Sequence, residues 1–392
     1  MSNRANFLRH VAQTSPAPMG LEIASGWGVY LQDTDGKDYL DLIAGIGVSA
    51  LGHNHPAVVR AVQEQAGKYM HTLVYGEFVL APQAEYAALL SEQLPEGLDN
   101  VYFVNSGAEA AEGAMKLAKR ATGRAEFISA KRSYHGGTHG PLSLQWPKDF
   151  SQAFHPLLPG ISHLDFNCDY CLHRITEKTA AVILETVQAE WGIRKPRPEW
   201  LQAVRKRCDE VGALLILDEI QAGMGRTGTL FAFEQYGVVP DILLLAKGFG
   251  GGMPLGGFVA AKSVMDLFTE EPVLGHITTF GGHPVSCAAG LATLLTLLAK
   301  PTLITSVRAK EALFHELLVH PKIRHVRSAG LWFAVELDDF DQIKATIARC
   351  LELGLITDWF LWNERSLRIA PPLIISEEEI RKACQIILHA LG

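Results

Sequence analysis

The sequence predicts an α/β protein built on a mainly parallel sheet, and three observations carry that prediction. Short apolar runs alternate with helical patterns through the middle of the chain. Several runs are apolar at successive positions, as strands covered on both faces require. Polar residues succeed the runs at what would be a single edge of the sheet, where open α/β proteins bind ligands.

In chain order, "GWGVYLQDTDGKDYLDL" (26–42) has a hairpin signal at Asp35-Gly36, with apolar residues on both sides. Strands are expected at 101–104 (VYFV), 125–130 (AEFISA), 180–186 (AAVILET), 213–220 (ALLILDEI), 241–247 (DILLLAK) and 256–261 (GGFVAA). Between the first two, Ala110, Ala114, Leu117, Ala118 and Ala121 recur at helical spacing after Gly107. "PEWLQAVRKRCDEVG" (198–212) begins with proline and stops at glycine, the punctuation of a helix. The stretches 1–50 and 300–392 read as mixed α+β and are expected to form one smaller domain, with 51–299 as the large one. The chain has no internal repeats and no low-complexity segments.

At 392 residues and 48% hydrophobic content the chain can bury a deep core. A net charge of −7 argues against nucleic acid or an anionic membrane surface as partner. The N-terminus lacks the apolar segment of a signal peptide. The longest apolar run near a span, "GLATLLTLLA" at 290–299, is too short to cross a bilayer. Six cysteines in a chain of this size suggest no disulfide framework, so a reducing, cytoplasmic setting is expected. His163, Cys168, Cys171 and His173 cluster in "HLDFNCDYCLHR". Their spacing is poor for zinc, so unpaired loop residues and a metal-free protein are expected.

The chemistry lies at the strand ends. The residues at the carboxyl ends of successive runs are Asn105-Ser106-Gly107-Ala108, then Glu185, then Asp218 and Gln221, then Lys247. Ser106 opens a helix whose free amides suit a phosphate, although the same serine also suits a plain N-cap. Asp218 ends an apolar run and needs a cationic or protonated partner. Lys247 itself would serve, and so would a protonated heterocycle lying between them. Neither a P-loop nor a Rossmann fingerprint is present. A phosphate cradle, a carboxylate and a lysine at neighbouring strand ends meet the needs of pyridoxal 5′-phosphate: the lysine forms a Schiff base and the carboxylate keeps the pyridine protonated.

From about Gly26 onwards the chain resembles the class III pyridoxal-phosphate-dependent aminotransferases, most closely their acetylornithine and ornithine branch. The motifs that carry the resemblance are "FVNSGAEAAEGAMKLA", "ILDEIQAGMGRTG", "LLLAKGFGGGMPLGG", "TTFGGHP" and "LRIAPPLIIS", together with the N-terminal "GVYLQDTDGKDYLDLIAGIGVSALGHNHP". The resemblance implies a fold type I transferase with a seven-stranded-type sheet. It also implies Lys247 as the Schiff-base lysine, Asp218 as partner of the pyridine nitrogen and Gln221 near the phenolic oxygen. Ser106, Gly107 and Ala108 would bind phosphate, Tyr134 would stack on the ring, His135 would also bind the cofactor, and Thr279 would reach the phosphate of a neighbouring subunit. That last role implies a homodimer with shared sites. Glu190 and Arg368 match a glutamate–arginine pair that opens for a substrate carboxylate, and Glu185 matches a glutamate of structural role.

Two departures bear on specificity. Gly137 stands where relatives often carry an arginine for a substrate carboxylate, and Trp191 stands beside Glu190. The C-terminal stretch is also rich in aromatics, with Trp359, Phe360 and Trp362. The expected activity is amino transfer from an amino acid or ω-amine to an oxo acid such as 2-oxoglutarate. Alternatives are an ω-amine:pyruvate aminotransferase, a racemase or aminomutase on the same cofactor, and a cofactor-free binding protein.

Overall fold

The computed structural model describes residues 2–392. A seven-stranded sheet forms its centre, in the spatial order Asn100–Val104, Gly256–Ala260, Ile242–Leu245, Leu214–Asp218, Thr179–Glu185, Glu126–Ala130, Ile161–Leu164. Only Gly256–Ala260 runs antiparallel to its neighbours; the other pairings are parallel. The apolar runs explain this arrangement. All seven residues of Thr179–Glu185 and all four of Ile242–Leu245 are buried, so no face of either strand meets water.

The strand ends differ from the sequence reading in ways that matter for the site. The run expected over 213–220 stops at Asp218, and the run expected to reach Lys247 stops at Leu245. Lys247 instead opens a 3-10 turn, Lys247–Gly250, with a left-handed φ of 52°. The edge strand Ile161–Leu164 is an addition to the expected set. Ser162 and His163 interrupt its apolar character, and its outer side is partly exposed.

Helix Gly107–Thr122 comes directly after the first strand. Ser106 caps it by accepting from the Glu109 N–H, and the Glu109 carboxylate reaches back to the Asn105 N–H at 2.7 Å. Its buried face is built from small residues, including Ala110, Ala114 and Ala118, so the helix lies close on the sheet. Helix Pro198–Val211 ends where Gly212 turns left-handed at φ 66°, a conformation that favours glycine.

Residues from both ends of the chain meet outside the central sheet. The hairpin Tyr30–Asp33 and Asp38–Asp41 forms as expected, and its second strand pairs in parallel with Leu355–Ile356. A further antiparallel sheet has the order His325–Ser328, Phe333–Glu336, Asn363–Ile369, Asp358–Phe360. No single helix among the described residues is long and apolar enough to cross a membrane.

The cysteine expectation is corrected. Cys168 and Cys171 are joined by a disulfide rather than left unpaired. They flank the start of a 3-10 turn that brings their Cα atoms to 5.4 Å, within disulfide span. His163 and His173 contact the carbonyls of Leu144 and Tyr170, at 3.0 and 2.6 Å.

Candidate active site

The carboxyl ends of the central strands open into a cavity of about 410 Å³. One wall is the turn Ser106-Gly107-Ala108 at the start of helix Gly107–Thr122, where backbone N–H groups lack intrahelical partners. A close neighbour holds this turn in shape. A Cβ on Gly256 would run into the Ser106 carbonyl, so the antiparallel strand can press against it only as glycine.

Asp218 and Lys247 face the same cavity from adjacent strand ends. Asp218 makes no ion pair with Lys247; within the protein it is held by a histidine and a backbone amide. Its Oδ2 lies 2.7 Å from His135 Nδ1, and its Oδ1 accepts from the Ile220 N–H at 2.9 Å. Both side chains are buried, so the pair is fixed in place. His135 is among the residues expected to bind the cofactor, but "SYHGG" gives no sign that its imidazole turns inward to Asp218.

Lys247 makes no ion pair and no hydrogen bond through its ammonium among the described residues. Burial holds its pKa below the usual lysine range, with Asp218 the strongest opposing influence, then Glu190. A depressed lysine pKa leaves more of the free amine, the form that attacks a carbonyl. Two further polar atoms at the cavity are buried without partners: Gln221 Nε2 and His135 Nε2. Buried polar atoms of this kind are costly unless a bound group satisfies them.

Tyr134 lines the cavity with its side chain partly exposed, and its N–H donates to Glu185 Oε1 at 3.0 Å. The other Glu185 oxygen accepts from the Ala189 N–H at 2.8 Å. Burial, and next Asp218, push the Glu185 pKa well up. Its two backbone contacts tie the Tyr134 turn to the loop carrying Glu190, in keeping with a structural role.

Glu190 lines the cavity and pairs with Arg368, Oε2 to Nη2 at 2.9 Å. The same Glu190 oxygen accepts from the Leu361 N–H at 3.0 Å, and the Glu190 carbonyl accepts from the Trp362 N–H at 3.1 Å. Arg368 has a second carboxylate that sequence reasoning missed. Asp358 sits directly across the strand pair from it, with Oδ1 3.0 Å from Nε. Burial pushes the Asp358 carboxyl up to about 6 against the pull of Arg368. The guanidinium lies 4.5 Å from the centre of the Phe360 ring, and its Nη1 is buried without a partner.

Gly137 lines the cavity, and the space beside it is nearly empty: an added Cβ would meet only the Tyr134 hydroxyl, at 3.9 Å. Trp191 corrects an expectation. It does not line the cavity but packs between Arg132 and Arg194, so it narrows nothing in front of Glu190. Thr279 is exposed and outside the cavity of its own chain; its carbonyl contacts His71 at 2.8 Å.

The model of the family described as "Aminotransferase class-III" matches residues 11–391. An acetylornithine aminotransferase of Methanopyrus kandleri is 41% identical, over 94% of this chain and 94% of its own length. A [LysW]-aminoadipate semialdehyde transaminase of Deinococcus radiodurans is also 41% identical, covering 91% of this chain and 82% of its own. Among solved structures, an ornithine aminotransferase from Toxoplasma gondii superposes with a TM-score of 0.91 at 30% identity. It covers 99% of this chain and 93% of its own.

Proposed function

The chain belongs to the class III aminotransferases, which are pyridoxal 5′-phosphate-dependent enzymes, and on that premise we propose which residues carry the reaction and what it acts upon. The observation that carries the reading is the placing of Lys247 and Asp218 on one cavity opposite the helix-start turn at Ser106.

The donor set fits the cofactor. Ser106, Gly107 and Ala108 offer a hydroxyl and unpartnered amides for a phosphate. Gln221 Nε2 is a buried donor lacking an acceptor, suited to a ring oxygen. Asp218 is a fixed carboxylate suited to a protonated ring nitrogen, and Tyr134 supplies a ring face. When bound, the cofactor supplies an aldehyde that condenses with amines and a ring that withdraws electrons from the reacting carbon.

The protein's own part rests on its geometry. Lys247 Nζ, poorly solvated and unpaired, attacks as the free amine and afterwards carries a proton between two carbons. Asp218 is kept in position by His135 and the Ile220 amide, so its charge stays aimed at one point in the cavity. Glu190 and Arg368 divide substrates by charge. Paired, they offer no free cation to a donor with no carboxylate at that end. When Glu190 withdraws, Arg368 receives the carboxylate of the oxo acid. The unpartnered Nη1 supports that reading, since it leaves part of the fork free.

The donor is an acetylornithine- or ornithine-like amino acid or an ω-amine, reacting through an amine remote from any carboxylate. Gly137 supports this, because no guanidinium stands there to hold a carboxylate close to the reacting carbon. The acceptor is an oxo acid such as 2-oxoglutarate. Two copies assemble with Thr279 of each reaching the other's phosphate. An exposed apolar surface beside it, including Met70, Phe78, Val79, Ile277 and Phe280, supports the dimer.

A panel of amino donors run against 2-oxoglutarate and pyruvate tests the substrate reading, with the cofactor spectrum monitored in each half-reaction. Turnover of terminal amines with 2-oxoglutarate is the expected result. Turnover confined to α-amines, or racemisation without an oxo acid, would overturn it. Sedimentation of the holoenzyme as a monomer would overturn the shared site.

A further inference from the structure

A second cavity, of about 550 Å³, lies on the far side of the turn that carries Glu190. It shares no lining residue with the first. Trp191, Arg194 and Lys195 form one wall and Arg327 the other, so the cavity bridges a loop of the central sheet and a strand of the C-terminal sheet.

The charge around it is strongly unbalanced. Arg132 and Arg194 both stack on the Trp191 indole, 4.8 and 4.9 Å from its centre. Arg327 approaches from the other wall, donating to the Gly192 carbonyl at 2.9 Å. Arg327 and Arg365 reach a carboxylate, but it is the same one, Glu336, at 2.5 and 2.6 Å. Arg132, Arg194 and Lys195 have no carboxylate within ion-pair distance among the described residues. Arg194 and Lys195 thus line the cavity with no carboxylate partner, while the Arg327 opposite them shares Glu336 with Arg365, in a chain whose net charge is −7. Burial lowers the Arg194 pKa, and Arg327 and Arg132 lower it further, with Glu336 alone opposing.

Arg194, partly buried, is repelled by Arg327 and Arg132 unless a counter-ion joins them. The turn also holds its shape under that repulsion. Gln188 and Arg194 exchange both backbone hydrogen bonds, at 2.9 Å each, and Ile193 sits at a left-handed φ of 54°. The backbone thus presents Arg194 to the cavity instead of letting it relax into solvent. Guanidinium groups grip carboxylate and phosphate through two N–H bonds at once, which suits an oxyanion better than chloride.

We propose that Arg194, Lys195 and Arg327, backed by Trp191 and Arg132, form a binding site for a small multiply charged oxyanion, separate from the catalytic cavity. The ligand carries carboxylate or phosphate groups, carries at least two negative charges, and is small enough to enter about 550 Å³.

Calorimetric titration of the holoenzyme tests this, with inorganic phosphate in one arm and tricarballylate in the other. Chloride keeps the ionic strength constant throughout. The expected result is saturable binding at one site per chain, with Kd of ~1 mM or tighter. Arg194→Gln weakens it by about tenfold, the loss of one charge-assisted pair. Lys195→Gln, at an exposed position, weakens it in the same direction, so the test does not depend on one variant folding. Binding of phosphate alone assigns the site to a phosphate-bearing ligand, and binding of tricarballylate alone to a polycarboxylate. Wild-type affinity in both variants, or heats that never saturate with either anion, would overturn the site.

Discussion

The two ends of the active-site cavity are built by different means. At the proposed cofactor end, Asp218 closes a strand of the central sheet, and Ser106 and Lys247 follow two other strands of that sheet, so strand pairing sets their spacing. At the substrate end, Glu190 sits on a loop and Arg368 on a strand 178 residues later, joined by side-chain contacts alone. The first arrangement is rigid because moving any member would break a buried sheet. The second can change by exchanging the contacts of one carboxylate, those of Glu190 with Arg368 and the Leu361 N–H. A reaction with a constant chemical step and two different substrates needs both kinds of construction.

Substitutions at the cofactor end should have the largest effects. Lys247→Ala should abolish turnover while leaving an unchanged circular dichroism spectrum, since the side chain makes no hydrogen bond to lose. Measurable residual turnover would mean that another amine serves. Asp218→Asn should lower kcat by roughly two to four orders of magnitude, the range of a positioned charge acting in the transition state. Near-normal turnover in that variant would mean that another group protonates the ring.

At the substrate end the losses should be smaller and unequal. Arg368→Ala should slow the 2-oxoglutarate half-reaction by roughly tenfold to a hundredfold, and the half-reaction with an uncharged-tail donor much less. Equal losses in both would make Arg368 structural and erase the contrast between the two ends.

A fourth effect concerns stability alone. Glu219 is next to Asp218 in sequence but turns away from the cavity, accepting from the Ala232 and Phe233 N–H groups at 2.6 Å each. Burial pushes its pKa up to about 7, against 4.5 for an ordinary glutamate. The folded protein therefore holds this proton where the unfolded chain has released it. The stability it contributes is full below about 4.5 and is lost as pH rises to about 7, by up to ~3 kcal/mol. Denaturant titrations between pH 4.5 and 8 should show that slope in the wild type and its reduction in Glu219→Gln. Parallel profiles would mean that Glu219 ionises normally.

The same contrast explains how much the sequence discloses. The central sheet is readable because strands buried on both faces are apolar throughout, and the residue after each run falls on one edge. The strand Ile161–Leu164 is not, since a partly exposed edge strand carries polar residues that blur the pattern. The contact of His135 with Asp218 gives no signal because the imidazole's orientation depends on the packing of the Tyr134 turn. Asp358 becomes visible only once β-pairing sets it opposite Arg368, a relation between strands that no local spacing encodes. Trp191 misleads for the opposite reason: adjacency to Glu190 in sequence places the two side chains on different cavities. The Cys168–Cys171 bond escapes notice because composition speaks to the whole chain and not to one turn.

The proposed role of Lys247 as carrier of the cofactor stands or falls on where the cofactor is attached. Borohydride reduction of the holoenzyme, with proteolysis and mass mapping afterwards, tests it most directly. One pyridoxyl group per chain is expected, on the peptide containing Lys247. A pyridoxyl group mapped to any other lysine, or none at all in a preparation with a full complement of cofactor, would contradict it.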